Sequence, residues 1–377
     1  MKITIVCDVL GESNNGTTLA TVNLIRYLTQ KGHDVTVLSP DQSTAGKENY
    51  YVVPALNLGK FLNSVLKRNG VQLAKSNDEL VRKVVKNADV VHVQVPLVLG
   101  TSAVKIALEE DKPLTASFHC QAENITAHLG LMNFKPANTL AYKIFYKNVY
   151  RHCDAVHYPT QFIRETFENV TAPTNAFVIS NGVNDAFFQD RPHVKSDKFT
   201  IVCTGRYSKE KAQYQLIKAV AKSRYKRRIK IVLAGDGPFK NRLRRLADKL
   251  NVDCEMRFFS RDELLSVLHS ADLYVHTAII EIEAIACLEA IVSGLVPVIC
   301  NSERSATRFF ALNELNLFNP KDVDELSMLI DFWYENPELK AEYAEKYKKL
   351  NAEFKQDRCM EKMEEMLFTA IETHRTK

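Results

Sequence analysis

The stretch LYVHTAIIEIEAIACLEAIVSGLVPVIC, residues 273–300, is the part of the chain from which the fold is best inferred. LYVH (273–276) is a short apolar run of the strand type. EAIACLEAIVSG (283–294) is a helical run that ends at Gly294, and LVPVIC (295–300) is a second run typical of a buried strand. The stretch therefore predicts a strand, a loop, a helix and a strand, which is the repeating pattern of an α/β protein.

Two carboxylates, Glu281 and Glu289, lie eight positions apart around the junction of this loop and helix. A helix rises about 1.5 Å per residue, so eight steps span roughly 12 Å at most. That is about the reach of a nucleotide-sugar from ribose to hexose, with the free N–H groups of the helix start facing the phosphates. Glutamate is also a good helix former, and such pairs occur by chance on surface helices. The helix is mostly apolar, however, and acids on a largely buried helix need a partner or a ligand.

The whole stretch resembles the Glu-x7-Glu region of retaining glycosyltransferases of family 4, and of their diacylglycerol glucosyltransferase-like members in particular. The chain keeps Glu281, Glu289-Ala290, Ser293-Gly294 and Pro297-Val298. It departs from the family at Glu283-Ala284, where Phe-Gly is usual. The resemblance implies an α/β chain with the GT-B fold, in which two Rossmann-like domains stand in tandem around a deep interdomain cleft.

Length and composition indicate an ordinary globular chain that is long enough, at 377 residues, for two domains. A net charge of +5 is too small and too evenly distributed to indicate nucleic-acid binding. The eight cysteines include no C-x-x-C pair and are predicted to be buried thiols in a reducing compartment. The N-terminus lacks a signal-peptide pattern, and no segment has the length and apolarity of a transmembrane helix. We therefore expect a cytoplasmic protein, with peripheral association at the inner face of the plasma membrane.

Strand-like and helical runs alternate along the chain, which predicts doubly wound parallel sheets. The first series of predicted strands is at 2–7, 34–38, 90–95, 113–119, 155–159 and 176–180. The second series is at 199–206, 229–235, 254–259, 273–276 and 295–300. A polar segment with a proline, 189–198, is the predicted linker. We expect an acceptor-side domain at 1–190, a nucleotide-sugar domain at 191–355, and a last helix at 356–377 that the resemblance places back on the first domain.

Two cations, Arg206 and Lys211, flank the first strand-to-helix connection of the second series. Lys211 is predicted to open the helix, and two cations at a helix N-terminus suit a diphosphate, because guanidinium, ammonium and free N–H groups all attract its oxygens. The alternative is a solvated charge cluster, since Lys209 and Glu210 lie between them. Gly-Arg-x4-Lys resembles the phosphate clamp of the family. That resemblance favours a diphosphate site and implies that the pair stabilises the leaving group in place of a metal.

The resemblance also assigns roles to residues whose own sequence patterns are weak. It implies that Glu281 orients the donor sugar, that Glu289 binds the ribose, and that His119 contacts the rim of the sugar. Together with Arg206 and Lys211, Glu281 and His119 form the expected catalytic set. Further donor contacts are expected at Gly16, Gly235, Phe259 and Ile285.

A polar run, HCQAENITAH (119–128), follows a predicted strand of the first domain. Strand ends that face the crevice of an open α/β sheet are where ligands bind. A lone histidine such as His119 is more often structural, but this run is more polar than packing needs. It resembles the loop that contacts the donor sugar in family members acting on lipid acceptors, where Glu123 and His128 match acidic and histidine positions on the acceptor side.

The segment LMNFKPANTLAYKIFYKNVYR (131–151) combines aromatic and basic residues and contains no acid. Its cations are Lys135, Lys143, Lys147 and Arg151. A basic helix with apolar rings suits an anionic membrane surface. The alternative, equally weighted, is a core helix whose lysines extend their charged ends to water.

We interpret the chain as a metal-independent retaining glycosyltransferase that moves a hexose from a nucleotide-sugar, most simply UDP-glucose or a similar UDP-sugar. The resemblance favours a membrane lipid such as diacylglycerol or a glycolipid as acceptor, an anionic membrane surface as partner, and no nucleic acid. No cofactor is expected besides the donor as co-substrate, and no metal, because no His, Asp or Cys cluster has ligand spacing. The alternatives are a glycosyltransferase of cell-surface polysaccharide synthesis, a non-catalytic partner subunit with the GT-B fold, and a nucleotide-sugar epimerase. The order of Arg206, Lys211 and the glutamate pair argues against the epimerase.

Overall fold

The computed structural model describes the chain except residues 11–15, 58, 60–73, 76, 128–130, 190–195, 350 and 377, and describes only the backbone of Asn124, Ala127, Asn351 and Ala352. These residues form two compact units. Unit 1 comprises Met1–Asn181 and Asp357–Lys377, and unit 2 comprises Gly182–Gln356. The predicted linker at 189–198 falls largely outside the described residues.

Unit 1 is built on a parallel β-sheet. Its described strands are β1 (Lys2–Val6), β2 (Asp34–Ser39), β3 (Tyr50–Val52), β4 (Val90–Val93), β5 (Leu114–Ser117), β6 (Ala155–Tyr158) and β7 (Ala176–Val178). In the sheet they follow the order β3-β2-β1-β4-β5-β6-β7, and all neighbours are parallel. The central strands are buried along nearly their whole length, as strands covered by helices on both faces must be.

Unit 2 repeats this architecture with a second parallel sheet. Its described strands are β8 (Phe199–Thr204), β9 (Ile229–Ala234), β10 (Cys254–Arg257), β11 (Leu273–His276), β12 (Pro297–Cys300) and β13 (Leu317–Phe318). They follow the order β10-β9-β8-β11-β12-β13, again with parallel neighbours. The order reverses between β8 and β11, and ligands bind beyond the carboxyl ends of the strands at such a reversal.

Helices connect successive strands in both units. In unit 1 they are α1 (Gly16–Gln30), α2 (Asp78–Lys86), α3 (Val98–Glu109), α4 (Ala122–Ala127), α5 (Lys135–Asn148) and α6 (Gln161–Glu168). In unit 2 they are α7 (Tyr214–Lys222), α8 (Lys240–Lys249), α9 (Arg261–His269), α10 (Ile285–Val292), α11 (Val323–Glu335) and α12 (Pro337–Lys349). The last helix, α13 (Gln356–Arg375), starts at the end of unit 2 and otherwise belongs to unit 1.

Helix α13 is part of the hydrophobic core of unit 1. Met363, Met366 and Leu367 are buried among the apolar side chains of α1 and β2, such as Leu28 and Val37. On the edge of this contact, Nε2 of His33 lies 2.6 Å from a carboxylate oxygen of Glu364. The helix is therefore held by apolar burial and by a polar contact within the same unit.

The predicted fold class is confirmed, since each unit is Rossmann-like and each sheet is parallel. The predicted strands are all present, several of them shorter than expected. Strands β3 and β13 were not predicted, because runs of three and two residues carry too little pattern. Across the described part of the chain, no helix combines the length and apolarity needed to cross a bilayer.

Candidate active site

The site in unit 2 lies where the order of its sheet reverses. Strand β8 ends at Thr204 and its neighbour β11 ends at His276, so the loops that follow start side by side. The first loop carries Arg206 and Lys211, and the second carries Glu281. The structure therefore brings predicted site residues to the position where an open α/β sheet binds its ligands.

The loop after β8 is longer than the sequence suggested. Lys211 was predicted to open the helix, but α7 begins at Tyr214, so this prediction is wrong. Ala212 adopts a left-handed conformation with a φ of 50°, which keeps the chain out of the helix until the next residue. The Thr277 hydroxyl donates to the carbonyl of Lys211 (2.7 Å), and the Ile279 N–H donates to the carbonyl of Glu210 (2.8 Å). These bonds fix Lys211 beside the loop that carries Glu281.

Lys211 and Glu281 form an ion pair in which Nζ of Lys211 contacts Oε1 of Glu281. The two side chains are only 24% and 13% exposed, so water screens the pair little. Burial alone would raise the pKa of Glu281, but the charge of Lys211 and the contact with His276 outweigh it and lower the pKa to about 2. Two residues of the expected catalytic set are thus in direct contact, and the carboxylate is ionised at neutral pH.

His276 is a site residue that the sequence reasoning missed. Its ring is 2% exposed, and Nε2 lies 3.3 Å from Oε1 of Glu281. Its Nδ1 lies 3.2 Å from the hydroxyl of Tyr274, which lies 2.8 Å from the hydroxyl of Thr204. The sequence did offer one indication of this role. His276 is a polar residue at the end of the apolar strand LYVH, and ligands bind at the carboxyl ends of such strands.

Arg206 is half-buried five positions before Lys211 on the same loop. Burial lowers the pKa of its guanidinium, and the charge of Glu210 opposes this effect. Arginine remains charged in proteins, so the loop presents two cations. The side-chain amide of Gln213 donates to the carbonyl of Arg206 (2.8 Å), which closes the loop on itself.

Gly235 is explained by packing of the backbone. A Cβ placed there would lie 2.1 Å from the carbonyl oxygen of Gly205, and one at Gly237 would lie 2.6 Å from the carbonyl oxygen of Tyr207. The two strand-to-helix turns therefore touch, and only glycine fits between them. A contact of Gly235 with a donor stays a prediction.

Glu289 lies within α10, and the helix begins at Ile285 with both side chains half-buried. In the described part of the chain the Glu289 carboxylate has no hydrogen bond and no ion pair within contact distance. Burial raises the pKa of Glu289 to about 7, and the charge of Arg261 partly offsets this. A half-buried carboxyl group without a partner is available to hydroxyl groups, and its role at a ribose stays a prediction.

The departure at Glu283-Ala284 has a local explanation. Ala284 precedes α10 in a left-handed conformation, with φ 64° and ψ 62°. Glycine adopts this conformation without strain, which accounts for the glycine usual in the resembling family. The alanine keeps the same backbone turn, so Glu281 and α10 are placed as a glycine would place them.

Phe259 does not offer its side chain to a ligand. The ring is buried in the core of unit 2, and the guanidinium of Arg257 stacks on it at 3.8 Å. Only the backbone of Phe259 is available to a nucleotide base. Its neighbour Phe258 is 64% exposed at the same strand end.

In unit 1, His119 follows β5 and is half-buried. Burial lowers its pKa well below the usual 6.5, so its imidazole is neutral at neutral pH. The edge of its ring meets the ring of His157, with centroids 5.6 Å apart. Gly16, a predicted donor contact, is the first residue of α1, and a Cβ placed there would have no contact within 4 Å in the described part of the chain.

A chain of buried hydrogen bonds, also missed by the sequence reasoning, supports His157. Its Nε2 lies 2.7 Å from the carbonyl of Ile179 and must donate to it, so Nδ1 accepts from the Ser117 hydroxyl (2.9 Å). The Ser117 oxygen then accepts from Nε2 of His92 (3.0 Å), whose Nδ1 accepts from the Thr115 hydroxyl (2.8 Å). Burial lowers the pKa of His92 to about 3 and that of His157 to about 4, so both rings are neutral.

The acceptor-side residues divide into a buried and an exposed group. Glu123 is buried and accepts a hydrogen bond from the Tyr142 hydroxyl (2.7 Å), so it ties α4 to α5. An acceptor contact of Glu123 would have to compete with this bond. His128 lies outside the described residues. The predicted cations are all exposed: Lys135, Lys143, Lys147 and Arg151.

Helix α5 has two distinct faces. Its inner face buries Asn138, Tyr142 and Phe145. Its outer face exposes Leu140 (59%) and Ile144 (47%) among the lysines, and Phe134 (54%) stands exposed just before the helix. The aromatic residues of 131–151 are therefore mostly core, whereas the outward apolar side chains are chiefly aliphatic.

Among the described residues, no group of three His, Cys, Asp or Glu side chains is placed to hold a metal ion. The chain does contain an Asp-x-Asp, Asp322-Val323-Asp324. The Asp322 carboxylate caps α11 by accepting from the N–H of Glu325 (2.9 Å), and that of Asp324 lies 2.5 Å from Nζ of Lys222. Both acids therefore have structural partners.

Two Rossmann-like units, one with paired cationic and acidic groups where its sheet reverses, define a nucleotide-sugar glycosyltransferase of the GT-B type. The family described as "Glycosyltransferase Family 4" matches residues 14–187, and the family described as "Glycosyl transferases group 1" matches residues 185–350. Together they span most of the chain, which therefore belongs to the family 4 glycosyltransferases.

Among curated proteins, alpha-monoglucosyldiacylglycerol synthase of Acholeplasma laidlawii is 24% identical over 371 residues, covering 90% of this chain and 89% of that protein. Among solved structures, Anabaena HepE in complex with UDP has a TM-score of 0.74 at 17% identity, covering 98% of this chain and 100% of the other. Its complex with UDP-glucose gives the same TM-score at 16% identity, with the same coverage. The catalytic domain of cholesterol-alpha-glucosyltransferase from Helicobacter pylori is 48% identical, covers 41% of this chain and 97% of that one, and has a TM-score of 0.39.

Proposed function

We propose that this glycosyltransferase moves glucose from UDP-glucose to a membrane lipid, with diacylglycerol as the first acceptor to test, and retains the anomeric configuration. The observation that carries the proposal is the contact between Lys211 and Glu281, with Arg206 on the same loop, at the sheet reversal of unit 2. The curated relative is named as a synthase of an alpha-glucosyl diacylglycerol, and HepE was solved with UDP-glucose. These names support the choice of donor and acceptor.

The donor would be held by the charges of unit 2. Arg206 and Lys211 would bind the diphosphate and stabilise the negative charge that grows on it as it leaves. The ionised Glu281 would accept hydrogen bonds from hydroxyls of the glucose, and Glu289 would bind the ribose. His119, neutral in unit 1, would contact the rim of the sugar, as the family resemblance implies.

The proposed reaction exchanges one bond at the anomeric carbon. The bond from C1 to the β-phosphate oxygen breaks, and a bond from C1 to the acceptor hydroxyl oxygen forms on the same face. The hydroxyl proton passes to the departing diphosphate. Because two cations already face that diphosphate, we expect no need for a divalent ion.

The outer face of α5 supports a lipid acceptor. Leu140 and Ile144 are exposed and alternate with Lys143 and Lys147, at spacings of three and four that place all four on one side of the helix. Apolar side chains ringed by cations are suited to the boundary of an anionic bilayer. Each cation near such a surface contributes about 1 kcal/mol, so the four predicted cations contribute roughly 4 before screening.

Activity tests the proposal directly. The purified full chain is mixed with UDP-glucose and vesicles that contain diacylglycerol, and UDP release and lipid product are measured. We expect release that depends on diacylglycerol, an alpha-linked product by NMR, and no loss with a chelator. Release without acceptor, a beta-linked product, or activity that only manganese or magnesium restores would each contradict part of the proposal. A sterol in place of diacylglycerol tests an alternative lipid.

Vesicle binding tests the role of α5. Replacing Lys135, Lys143, Lys147 and Arg151 with Gln should abolish sedimentation with anionic vesicles and leave UDP binding intact. A matched control removes four exposed lysines elsewhere in unit 1: Lys31, Lys47, Lys83 and Lys86. Equal losses in both variants would show that net charge, rather than this helix, attracts the protein to the vesicles.

A further inference from the structure

The feature behind this inference is the buried row of polar groups behind Glu281. It runs from Thr204 at the end of β8, through Tyr274 and His276 of β11, to Glu281. Thr204, Tyr274 and His276 are all less than 9% exposed. Within the row the hydroxyls of Thr204 and Tyr274 and Nδ1 of His276 are hydrogen-bonded to one another, as buried polar groups must be.

The row has a preferred direction. The Thr204 hydroxyl can donate to the Tyr274 oxygen (2.8 Å), and the Tyr274 hydroxyl can then donate to Nδ1 of His276 (3.2 Å). An imidazole that accepts at Nδ1 carries its proton on Nε2. Nε2 is the atom that lies 3.3 Å from Oε1 of Glu281, a close approach that does not meet hydrogen-bond geometry, and it has no hydrogen-bond partner among the described residues. The row therefore presents an N–H group to the carboxylate.

Both neighbours of Glu281 meet the same oxygen. Nζ of Lys211 and Nε2 of His276 each contact Oε1, whereas Oε2 has no partner in the described part of the chain. With both neighbours on Oε1, Oε2 is left for a ligand. This is the arrangement that an acid needs in order to bind a sugar hydroxyl in one orientation.

A bound diphosphate would change the balance between these two contacts. Lys211 would be attracted to the phosphate oxygens, and its hold on Oε1 would weaken accordingly. Glu281 is largely buried and would then rely on the N–H group of His276. The titratable side chains around Glu281 in the described residues are Lys211, His276, Tyr274 and Cys287, and burial raises the pKa of the last two so far that both stay neutral.

We propose that His276 is a positioning residue that holds Oε1 of Glu281 while Lys211 serves the diphosphate, so that Oε2 stays directed at the donor sugar. The inference rests on the proposed function of this site. A histidine that only fills space would be replaced equally well by an apolar side chain of similar size. A positioning role therefore needs the proton on Nε2, whereas a space-filling role does not.

Two substitutions at the same position separate these roles. His276→Gln can place an amide N–H near the position of Nε2, whereas His276→Leu keeps bulk and loses the donor. Tyr274→Phe removes the hydroxyl that fixes the proton on Nε2 and keeps the ring. Calorimetry at pH 7 measures UDP and UDP-glucose affinities for each variant and for Glu281→Gln.

We expect His276→Leu to weaken UDP-glucose binding about 10- to 100-fold, the range for a lost hydrogen bond to a charged group, while UDP binding changes little. We expect His276→Gln to recover most of that loss and Tyr274→Phe to fall between.

The control at Glu281 keeps two failures apart. If Glu281→Gln leaves UDP-glucose binding unchanged, the proposed donor site is wrong. If Glu281→Gln weakens it but folded His276→Leu and His276→Gln match the wild type, the positioning role is wrong and the site stands. Equal loss in the Leu and Gln variants would assign His276 to packing alone.

Discussion

The single positive charge of Lys211 has two partners in the proposed mechanism. It neutralises Glu281 within the protein, and in the proposed complex it also faces the donor diphosphate. An ammonium on a flexible stem can serve both, because it is a point charge that moves between partners a few ångströms apart. Lys211 would therefore keep Glu281 ionised before the donor binds. It would contact the diphosphate once the donor is bound.

The first prediction concerns this cation. Lys211→Ala should lower turnover about a hundredfold or more, because the leaving diphosphate loses a charge-assisted contact and Glu281 loses its counter-charge. Lys209→Ala is the matched control, since Lys209 is an exposed lysine of the same loop. Steady-state rates at saturating UDP-glucose decide the outcome. Equal rates in the two variants would remove Lys211 from the mechanism.

A second prediction concerns the left-handed turn at Ala284. Ala284→Val should lower the free energy of unfolding by about 2 kcal/mol, because a β-branched residue fits poorly at a φ of 64°. Ala284→Gly should change it by less than about 1 kcal/mol. Ala286→Val, two residues on within α10, is the control and should cost only about half a kcal/mol in helix propensity. Urea unfolding measures all three, and a tolerated valine at 284 would show that the turn relaxes.

For individual residues, the sequence allowed the site to be predicted only in part. Arg206, Lys211 and Glu281 were chosen by their resemblance to family motifs, because their pattern alone also fitted a solvated charge cluster and a chance pair of glutamates. The contact of His276 with Glu281 could not be predicted, since it joins a strand to a loop through a local turn that no periodicity encodes. The burial of Phe259 was missed for a related reason: which of two adjacent aromatic residues faces inward depends on where the strand ends.

Helix α5 shows what composition can and cannot decide about an element. The absence of acids and the four cations are plain in the sequence, but the sequence left a core helix and a surface helix equally plausible. The structure shows that both are partly right, because Tyr142 and Phe145 are core while Leu140 and Ile144 are exposed. The two faces follow the 3.6-residue period of the helix. That period divides these four residues into an inner and an outer pair, but it does not show which pair faces the core.

A third prediction concerns how α13 holds unit 1 together. Leu367→Ala should lower the free energy of unfolding by about 2–5 kcal/mol, because the side chain is fully buried in the core and leaves a cavity. Phe368→Ala, at the next position and 44% exposed, should cost less than about 1 kcal/mol. Denaturant unfolding followed by circular dichroism gives both values. Similar costs for the two would mean that α13 contributes little core to unit 1.

For the whole molecule, the parallel sheets could be predicted from the alternation of apolar strands and amphipathic helices alone. Buried parallel strands are continuous apolar runs, and such runs are the strongest local signal that a sequence carries. The order of strands within each sheet is set by long-range pairing, and it was expected only by resemblance. That order is what places the ends of β8 and β11 together and so makes the site.

Two sets of buried groups should contribute to the pH dependence of stability in opposite directions. In unit 1, burial lowers the pKa values of His92 and His157, so the unfolded chain binds protons there that the folded chain does not, and the contribution of these two histidines to stability falls as pH falls from about 6.5 towards 4. In unit 2, burial raises the pKa of Glu289 to about 7. The folded form then holds a proton that the unfolded form releases above about 4.5, so stability falls as pH rises through this window.

The fourth prediction isolates the contribution of Glu289. Trp333, the single tryptophan of the chain, is buried in unit 2 and reports on its unfolding by fluorescence. Between pH 5 and 7.5 the wild type should lose about 1–3 kcal/mol of unfolding free energy relative to Glu289→Gln, whose amide cannot ionise. Glu338→Gln, at an exposed acid of the same unit, is the control and should follow the wild type. If Glu289→Gln also follows the wild type across this range, the carboxyl group is ionised throughout, and its burial is offset by a contact that forms in solution.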